Sequence, residues 1–308
     1  MKIAVVGAGA LGCAIGGTLA EAGNEVVLVN RNAAHVDAIN THGLVMRGAQ
    51  SERTVHTRAV SSAQNESPAD LVVVLVKSFH TQEAMSAATA LVGPGTAVLS
   101  LQNGLGHEDV LAAIVGRERV LAGKTYVGGV MLAPGRISAS VEGKETLIGE
   151  LDGRISARAH SIAAVFNAAG LQTTISDNIF GTMWDKLLIN VATGALSGVT
   201  RLPYGPLYRI PEIEATAVAA VQEAMDVARA AGVRLGYTDP RAAWLKAAAG
   251  LPEDFKTSLL QSLEKGSATE IDFINGAVVR WGQRHGVATP VNATLVACIK
   301  GIENQMLA

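Results

Sequence analysis

Short runs of β-branched and aliphatic residues alternate with segments of helical period through the first half of the chain. Residues 2–6, 26–29, 71–76 and 97–101 are apolar at successive positions, as strands covered on both faces are. Helical patterns such as 11–22 and 81–91 lie between them. This alternation predicts a parallel, doubly wound sheet. Residues 120–130, 136–141 and 146–148 add strand signals, with Pro134-Gly135 as a turn, and predict later, partly antiparallel strands. Beyond about Leu171 the period changes, and residues 178–199, 213–231, 239–249, 269–285 and 292–306 all read as helices. The expected organisation is an α/β domain over residues 1–175 and an all-α domain over 176–308. Asp177 is the expected N-cap of the first long helix.

Composition narrows the classes of function. The 308 residues carry 25 Lys plus Arg against 27 Asp plus Glu, a formal charge of −2. With about 150 residues per domain, that length fits two domains with a core each. The balanced charge lacks a basic block, so nucleic acid is not an expected partner. The longest clean apolar run, 71–76, falls far short of the roughly 20 residues that span a bilayer. No membrane span is expected. The opening MKIAVVGAGALG is glycine-interrupted and leads straight into periodic structure, so it reads as mature sequence. Cys13 and Cys298 show neither metal-ligand spacing nor a disulfide framework, which fits a reducing cytoplasm. The seven histidines show no pairing at helical ligand spacing, and no metal is expected. His80 and His107 follow ligand-facing strand ends and are candidate contacts. The 49% share of hydrophobic residues permits a homodimer without requiring one.

Residues 2–12 read KIAVVGAGALG, a strand followed by Gly7-Ala8-Gly9-Ala10-Leu11-Gly12 and then a helix ending near Gly23. Strand, glycines and helix in that order form the dinucleotide fingerprint of a Rossmann-type domain. Gly7 allows the tight turn, Gly9 lets a pyrophosphate approach the backbone, and Gly12 lets helix and strand pack closely. The helix N-terminus offers amides and partial positive charge to the phosphates. The second strand ends at Asn30-Arg31, where a cofactor with a free ribose 2′-hydroxyl would meet Asp or Glu. An amide and a guanidinium there favour NADP(H) over NAD(H).

Other candidates sit farther on. The strand at 71–76 runs into Lys77, and that at 97–101 into Gln102-Asn103-Gly104, both at carboxyl ends where open sheets bind ligands. A surface lysine and an ordinary Asn-Gly turn are the alternative readings. In the helical half, Lys186 and Asn190 are spaced i, i+4 on one helix face. An ammonium and an amide so placed polarise and protonate a carbonyl oxygen, as ketone reduction requires, although such a lysine also snorkels to solvent. Ser267 and Glu270 have capping-box spacing. Glu270 either closes that cap or orients and charge-balances Lys186.

Taken together, Gly7-x-Gly9-x-x-Gly12, Lys77, Leu101-Gln102-Asn103-Gly104, Trp184-x-Lys186-Leu187-x-x-Asn190 and Thr269-Glu270-Ile271-Asp272-x-x-Asn275-Gly276 resemble ketopantoate reductase, 2-dehydropantoate 2-reductase, in order along nearly the whole chain. The resemblance implies NADPH-dependent reduction of 2-dehydropantoate to pantoate, a cytoplasmic step toward pantothenate and coenzyme A. It implies Lys186 as general acid with Glu270 as its partner, and Asn190, Ser258 and Asn103 as substrate contacts. The cofactor would meet the glycine loop, Arg31, Lys77 and Asn103.

Three positions depart from the family pattern. The third amide step on the lysine helix is Gly194, followed by Ala195 rather than Pro; Tyr204 stands before Gly205 in place of Asn; Ser262 stands in place of Asp. Hydride chemistry survives these changes because Lys186 and Glu270 remain, but substrate choice shifts readily when a polar contact is lost. Another branched 2-oxo acid, or cofactor binding without turnover, are the alternatives.

Overall fold

The structure is a computed structural model that describes residues 1–49 and 51–307; Gln50 and Ala308 lie outside the described residues. The chain divides into two compact units. The first comprises Met1–Gln102 and His107–Ile179, the second Asn103–Gly106 and Phe180–Ala308.

Eight strands form the main sheet of the first unit: β1 Lys2–Val6, β2 Glu25–Val29, β5 Arg58–Val60, β6 Leu71–Val74, β7 Ala97–Ser100, β8 Val120–Thr125, β11 Thr146–Glu150 and β12 Thr173–Ile175. Their order is β12-β11-β8-β7-β6-β1-β2-β5, parallel except where β11 meets β8. The chain reverses direction of winding between β1 and β6, and the crevice at their carboxyl ends is where sheets of this kind take ligands. Alternate residues explain the unbroken apolar runs. Ile3, Val5, Leu28, Val73 and Leu99 face helices α1 (Ala10–Glu21), α2 (Ala33–His42) and α5 (Ala157–Ala168). Ala4, Val6, Val27, Val72, Val74 and Val98 face α3 (Thr81–Ala87) and α4 (His107–Val115). Both sheet faces are therefore covered.

A second sheet, absent from the sequence reading, has the order β4-β3-β10-β9, with β3 Leu44–Arg47, β4 Glu52–Val55, β9 Gly128–Ala133 and β10 Arg136–Ser140. The strand signal over 120–130 is thus two strands in two sheets, with Pro134-Gly135 turning β9 into β10.

The second unit contains α6 (Ile179–Thr200, from its second residue), α7 (Tyr204–Leu207), α8 (Pro211–Ala230), α9 (Pro240–Ala248), α10 (Ser258–Glu264), α11 (Asn275–His285) and α12 (Pro290–Leu307). Ala217, Ala220, Val221, Ala224, Val227 and Ala228 give α8 one buried face at helical spacing. The expected helix from residue 269 instead begins at Asn275, after a single 3₁₀ turn at Ile271–Phe273. α6 begins at Ile179, so Asp177 stands one residue outside the cap position. No helix among the described residues is long and apolar enough to cross a membrane.

One buried ion pair ties the end of β11 to α5. Glu150 accepts from Arg158 Nε at 2.7 Å and Nη2 at 2.6 Å, and from Ser156 Oγ at 2.5 Å. Burial alone would push this carboxyl up, but hydrogen bonds from Arg158 and Ser156 and the guanidinium charge outweigh it and hold it below the ordinary range. The stabilisation is complete above the unfolded carboxyl's pKa and disappears as pH falls through the depressed folded value. Glu150→Gln is expected to destabilise the protein by about 3 kcal/mol, the lower end for breaking a buried pair because Arg158 is partly solvated. Urea midpoints at neutral pH measure this, and the gap between variant and wild type should shrink in acid.

Candidate active site

The glycine loop is built from its backbone outward. Gly7 has φ +100°, and a Cβ there would stand 2.3 Å from Val76 N, so only glycine fits. Gly7 N and Ala8 N both donate to Val29 O, at 3.1 and 3.0 Å, and Gly9 N donates to Gly7 O at 2.8 Å. A Cβ on Gly12 would lie 2.3 Å from Gly7 O, which places the first turn of α1 directly against the loop. Gly9, in contrast, has nothing within 4 Å of its Cβ position, so one side of the loop is open. The amides of Ala10, Leu11 and Gly12 open α1 and have no acceptor within the helix. An open loop followed by first-turn amides fits the pyrophosphate of a dinucleotide. Ala8 shapes this loop from within: it is fully buried, and its carbonyl accepts from Asn30 Nδ2 at 2.6 Å, His35 Nε2 at 3.1 Å and Cys13 Sγ at 3.3 Å.

That inward bond revises the reading of Asn30. Its side-chain oxygen accepts from Asn32 N at 2.9 Å while an N–H serves Ala8, so its amide braces the loop instead of facing a ribose. Arg31 is left as the exposed cation at the end of β2, and its Nη2 lies 3.0 Å from His80 Nε2. A guanidinium only donates, so His80 Nε2 is the acceptor and Nδ1 carries the proton, toward Glu83 Oε2 at 3.5 Å. Lys77 is exposed just before the 3₁₀ turn at Ser78–His80. Gln102 is buried and donates to Val76 O and Thr81 Oγ1, both at 2.8 Å, joining the ends of β6 and β7.

Asn103 belongs to the second unit despite its place in the first 175 residues. The cause is Phe273: Leu105 N donates to Phe273 O at 3.0 Å, and Gly104, at φ +91°, lies so close that a Cβ would be 2.3 Å from that oxygen. This is a fixed bracket rather than an ordinary Asn-Gly turn.

Within the second unit, Lys186 and Asn190 are half-buried on one face of α6, among fully buried Trp184, Leu187, Leu188 and Val191. Glu270 is 8% exposed, in a segment whose Thr269 and Asp272 are held by residues of α12. Thr269 N donates to Glu303 Oε1 at 2.6 Å, Ile271 N to Thr269 Oγ1 at 3.2 Å, and Lys300 pairs with Asp272. Burial would lower the Lys300 ammonium, but the two carboxylates beside it, Asp272 and Glu303, raise it overall. Ser258 is exposed at the start of α10, where Thr257 Oγ1 caps the helix by accepting from Leu260 N at 3.1 Å. Asn275 points into the core, donating to Asn292 Oδ1 at 3.0 Å.

The residues at the departures from the family pattern also have definite surroundings. Ser262 is buried and donates to Ser258 O at 3.0 Å. Tyr204 lies beside Tyr208 and Phe255, with ring centroids 5.5 and 5.1 Å away, and its hydroxyl is 3.3 Å from Thr193 Oγ1. Burial pushes the Tyr204 phenol up, so it stays protonated.

The sequence signature of ketopantoate reductase PanE/ApbA matches residues 3–153, and that of its C-terminal domain matches residues 178–303. The chain belongs to the ketopantoate reductase family. It is 32% identical to a 2-dehydropantoate 2-reductase of Pyrococcus horikoshii, over 99% of this chain and 98% of the relative. Among solved structures, it is similar to a PanE/ApbA family ketopantoate reductase from Ralstonia eutropha JMP134, at TM-score 0.92 and 37% identity over the whole of both chains. D-mandelate dehydrogenase in a ternary structure with NADH and anilino(oxo)acetate is also similar, at TM-score 0.93 and 28% identity over the whole of both chains. The ketopantoate reductase pattern contains no cue to the roles of His35, Glu303 or Lys300. Their partners lie far away in sequence, so no local spacing marks them.

Proposed function

We propose that this chain reduces 2-dehydropantoate to pantoate with NADPH, a step toward pantothenate and coenzyme A in the cytoplasm. The observation that carries this reading is the half-buried Lys186–Asn190 pair on α6, in a chain similar from end to end to 2-dehydropantoate 2-reductases. The bound cofactor would supply hydride to the keto carbon. Lys186 would donate its proton to the oxygen on which negative charge develops, and a positioned acid of this kind contributes about 10²–10⁴-fold. Glu270 would keep that ammonium charged and oriented, while Asn190, Ser258 and Asn103 would hold the substrate. Lys77, Asn103, the glycine loop and Arg31 would hold the cofactor, with Arg31 on its 2′-phosphate.

A second reading keeps the chemistry and changes the acid. Tyr204 stands where the family pattern has Asn, and it is buried against Tyr208 and Phe255 with its hydroxyl 3.3 Å from Thr193 Oγ1, so a polar contact of the family is absent and another branched 2-oxo acid is the alternative. Comparing kcat/KM for 2-dehydropantoate with that for other branched and aryl 2-oxo acids separates the readings. A clear preference for 2-dehydropantoate is expected, and a larger value for another acid would replace it. For the cofactor, Arg31→Ala is expected to weaken NADPH binding roughly tenfold to hundredfold and to leave NADH binding unaffected. Equal losses for both cofactors in fluorescence titrations would remove Arg31 from the 2′-phosphate.

A further inference from the structure

We propose that His35 is the positioning residue of the glycine loop: as a neutral imidazole it ties the Ala8 carbonyl to the β9–β10 turn, so that dinucleotide affinity depends on that tie. The inference rests on the reading of the loop as the cofactor's pyrophosphate cradle.

The hydrogen bonds fix the tautomer. Gly135 N, in the turn, donates to His35 Nδ1 at 2.9 Å, so Nδ1 carries a lone pair and Nε2 carries the proton. That proton faces Ala8 O at 3.1 Å, with Cys13 Sγ at 3.3 Å. The imidazole is 2% exposed, and its own backbone is held by Asn32 Oδ1, which accepts from His35 N at 3.2 Å. Nδ1 and Nε2 therefore tie together two segments, one 27 residues before His35 and one 100 residues after it. The Ala8 carbonyl and the Gly9 amide share one rigid peptide plane. Holding that plane sets the direction of the amides of Ala10, Leu11 and Gly12 that follow. The hairpin also reaches the loop directly, because a Cβ on Gly129 in β9 would be 2.8 Å from Ala10 O.

Protonation would break the tie. A second ring proton at Nδ1 would face the Gly135 N–H, donor against donor, and the bond to the turn would be lost. Among the described residues, the titratable side chain touching the imidazole is Cys13, from α1, and burial pushes its thiol up to about 12, so it stays protonated alongside. Asn30, Asn32, Ala8 and Gly135 present only uncharged groups. Burial also lowers the imidazole below its ordinary range, which places the protonation on the acid side of neutrality.

The test combines calorimetric titration of the full chain with NADP⁺, which tolerates acid, and hydrogen exchange of the unliganded loop over Gly7–Gly12. Wild type, His35→Gln and His35→Leu are compared from about pH 5.5 to about pH 8. Glutamine offers a donor and an acceptor but no titrating proton. Wild-type affinity is expected to fall toward acid more steeply than that of His35→Gln, which binds well at the alkaline end. His35→Leu is expected to bind about tenfold more weakly throughout and to exchange faster in the loop. Wild-type binding and loop exchange in His35→Leu, or an unchanged acid limb in His35→Gln, would overturn the proposal. Wild-type protein that binds neither NADP⁺ nor NAD⁺ would instead overturn the cofactor reading, and the dependence of affinity on His35 with it; the exchange data would still report on the tie itself.

Discussion

Replacing Lys186 with alanine is expected to lower kcat by about 10²–10⁴-fold while leaving the Kd for NADPH nearly unchanged. Lys186 is half-buried on α6, whose adjoining Trp184 and Leu187 are at most 1% exposed, so the backbone that carries the lysine is anchored in the core. Hydride addition leaves negative charge on oxygen, and a proton delivered in the same step removes it. Lys186→Arg keeps the charge but holds its proton far more tightly, so it should recover substrate binding better than turnover. Single-turnover rates with saturating cofactor measure the effect. A wild-type rate in Lys186→Ala would exclude this amine as the acid.

The second large effect is expected from Gly12→Ala, a single added methyl. The new carbon would meet Gly7 O at 2.3 Å, and that oxygen is backbone, held in the turn that links β1 to α1. It cannot swing aside as a flexible side chain would. α1 must move away from β1, carrying the first-turn amides with it. Overpacking of this kind costs about 1–3 kcal/mol of stability, and NADPH affinity should fall at least about tenfold because each misdirected charge-assisted hydrogen bond is worth about 1.5–3 kcal/mol. Thermal melts and cofactor titration check both parts. A variant that keeps wild-type affinity would show that close packing of helix on strand is unimportant for the cradle.

What could be read from the sequence follows from how local each cause is. The β1–glycine–α1 unit was legible because its requirements fall within residues 2–12. The parallel core was legible because both faces are covered, which leaves unbroken apolar runs. The second sheet was not, since β3 pairs with β10 through contacts such as Val45 with Arg136, far apart in the chain. The capping-box spacing of Ser267 and Glu270 was present but did not set the helix start. Glu303 takes the Thr269 amide and Lys300 takes Asp272, so tertiary partners from α12 hold this segment as a 3₁₀ turn and delay α11 to Asn275. Asn30 illustrates the same limit at the site. Its type and position suit a ribose contact, yet the buried Ala8 carbonyl required donors, and Asn30 is among the groups that supply them.

The most direct measurement follows the hydride itself. The protein is incubated with 2-dehydropantoate and NADPH dideuterated at nicotinamide C4, and the product is analysed by mass spectrometry and proton NMR. The expected product is pantoate carrying one deuteron on the carbon that was the ketone. Cofactor left unoxidised, or pantoate whose new hydrogen comes from solvent, would contradict direct reduction of this 2-oxo acid by this chain.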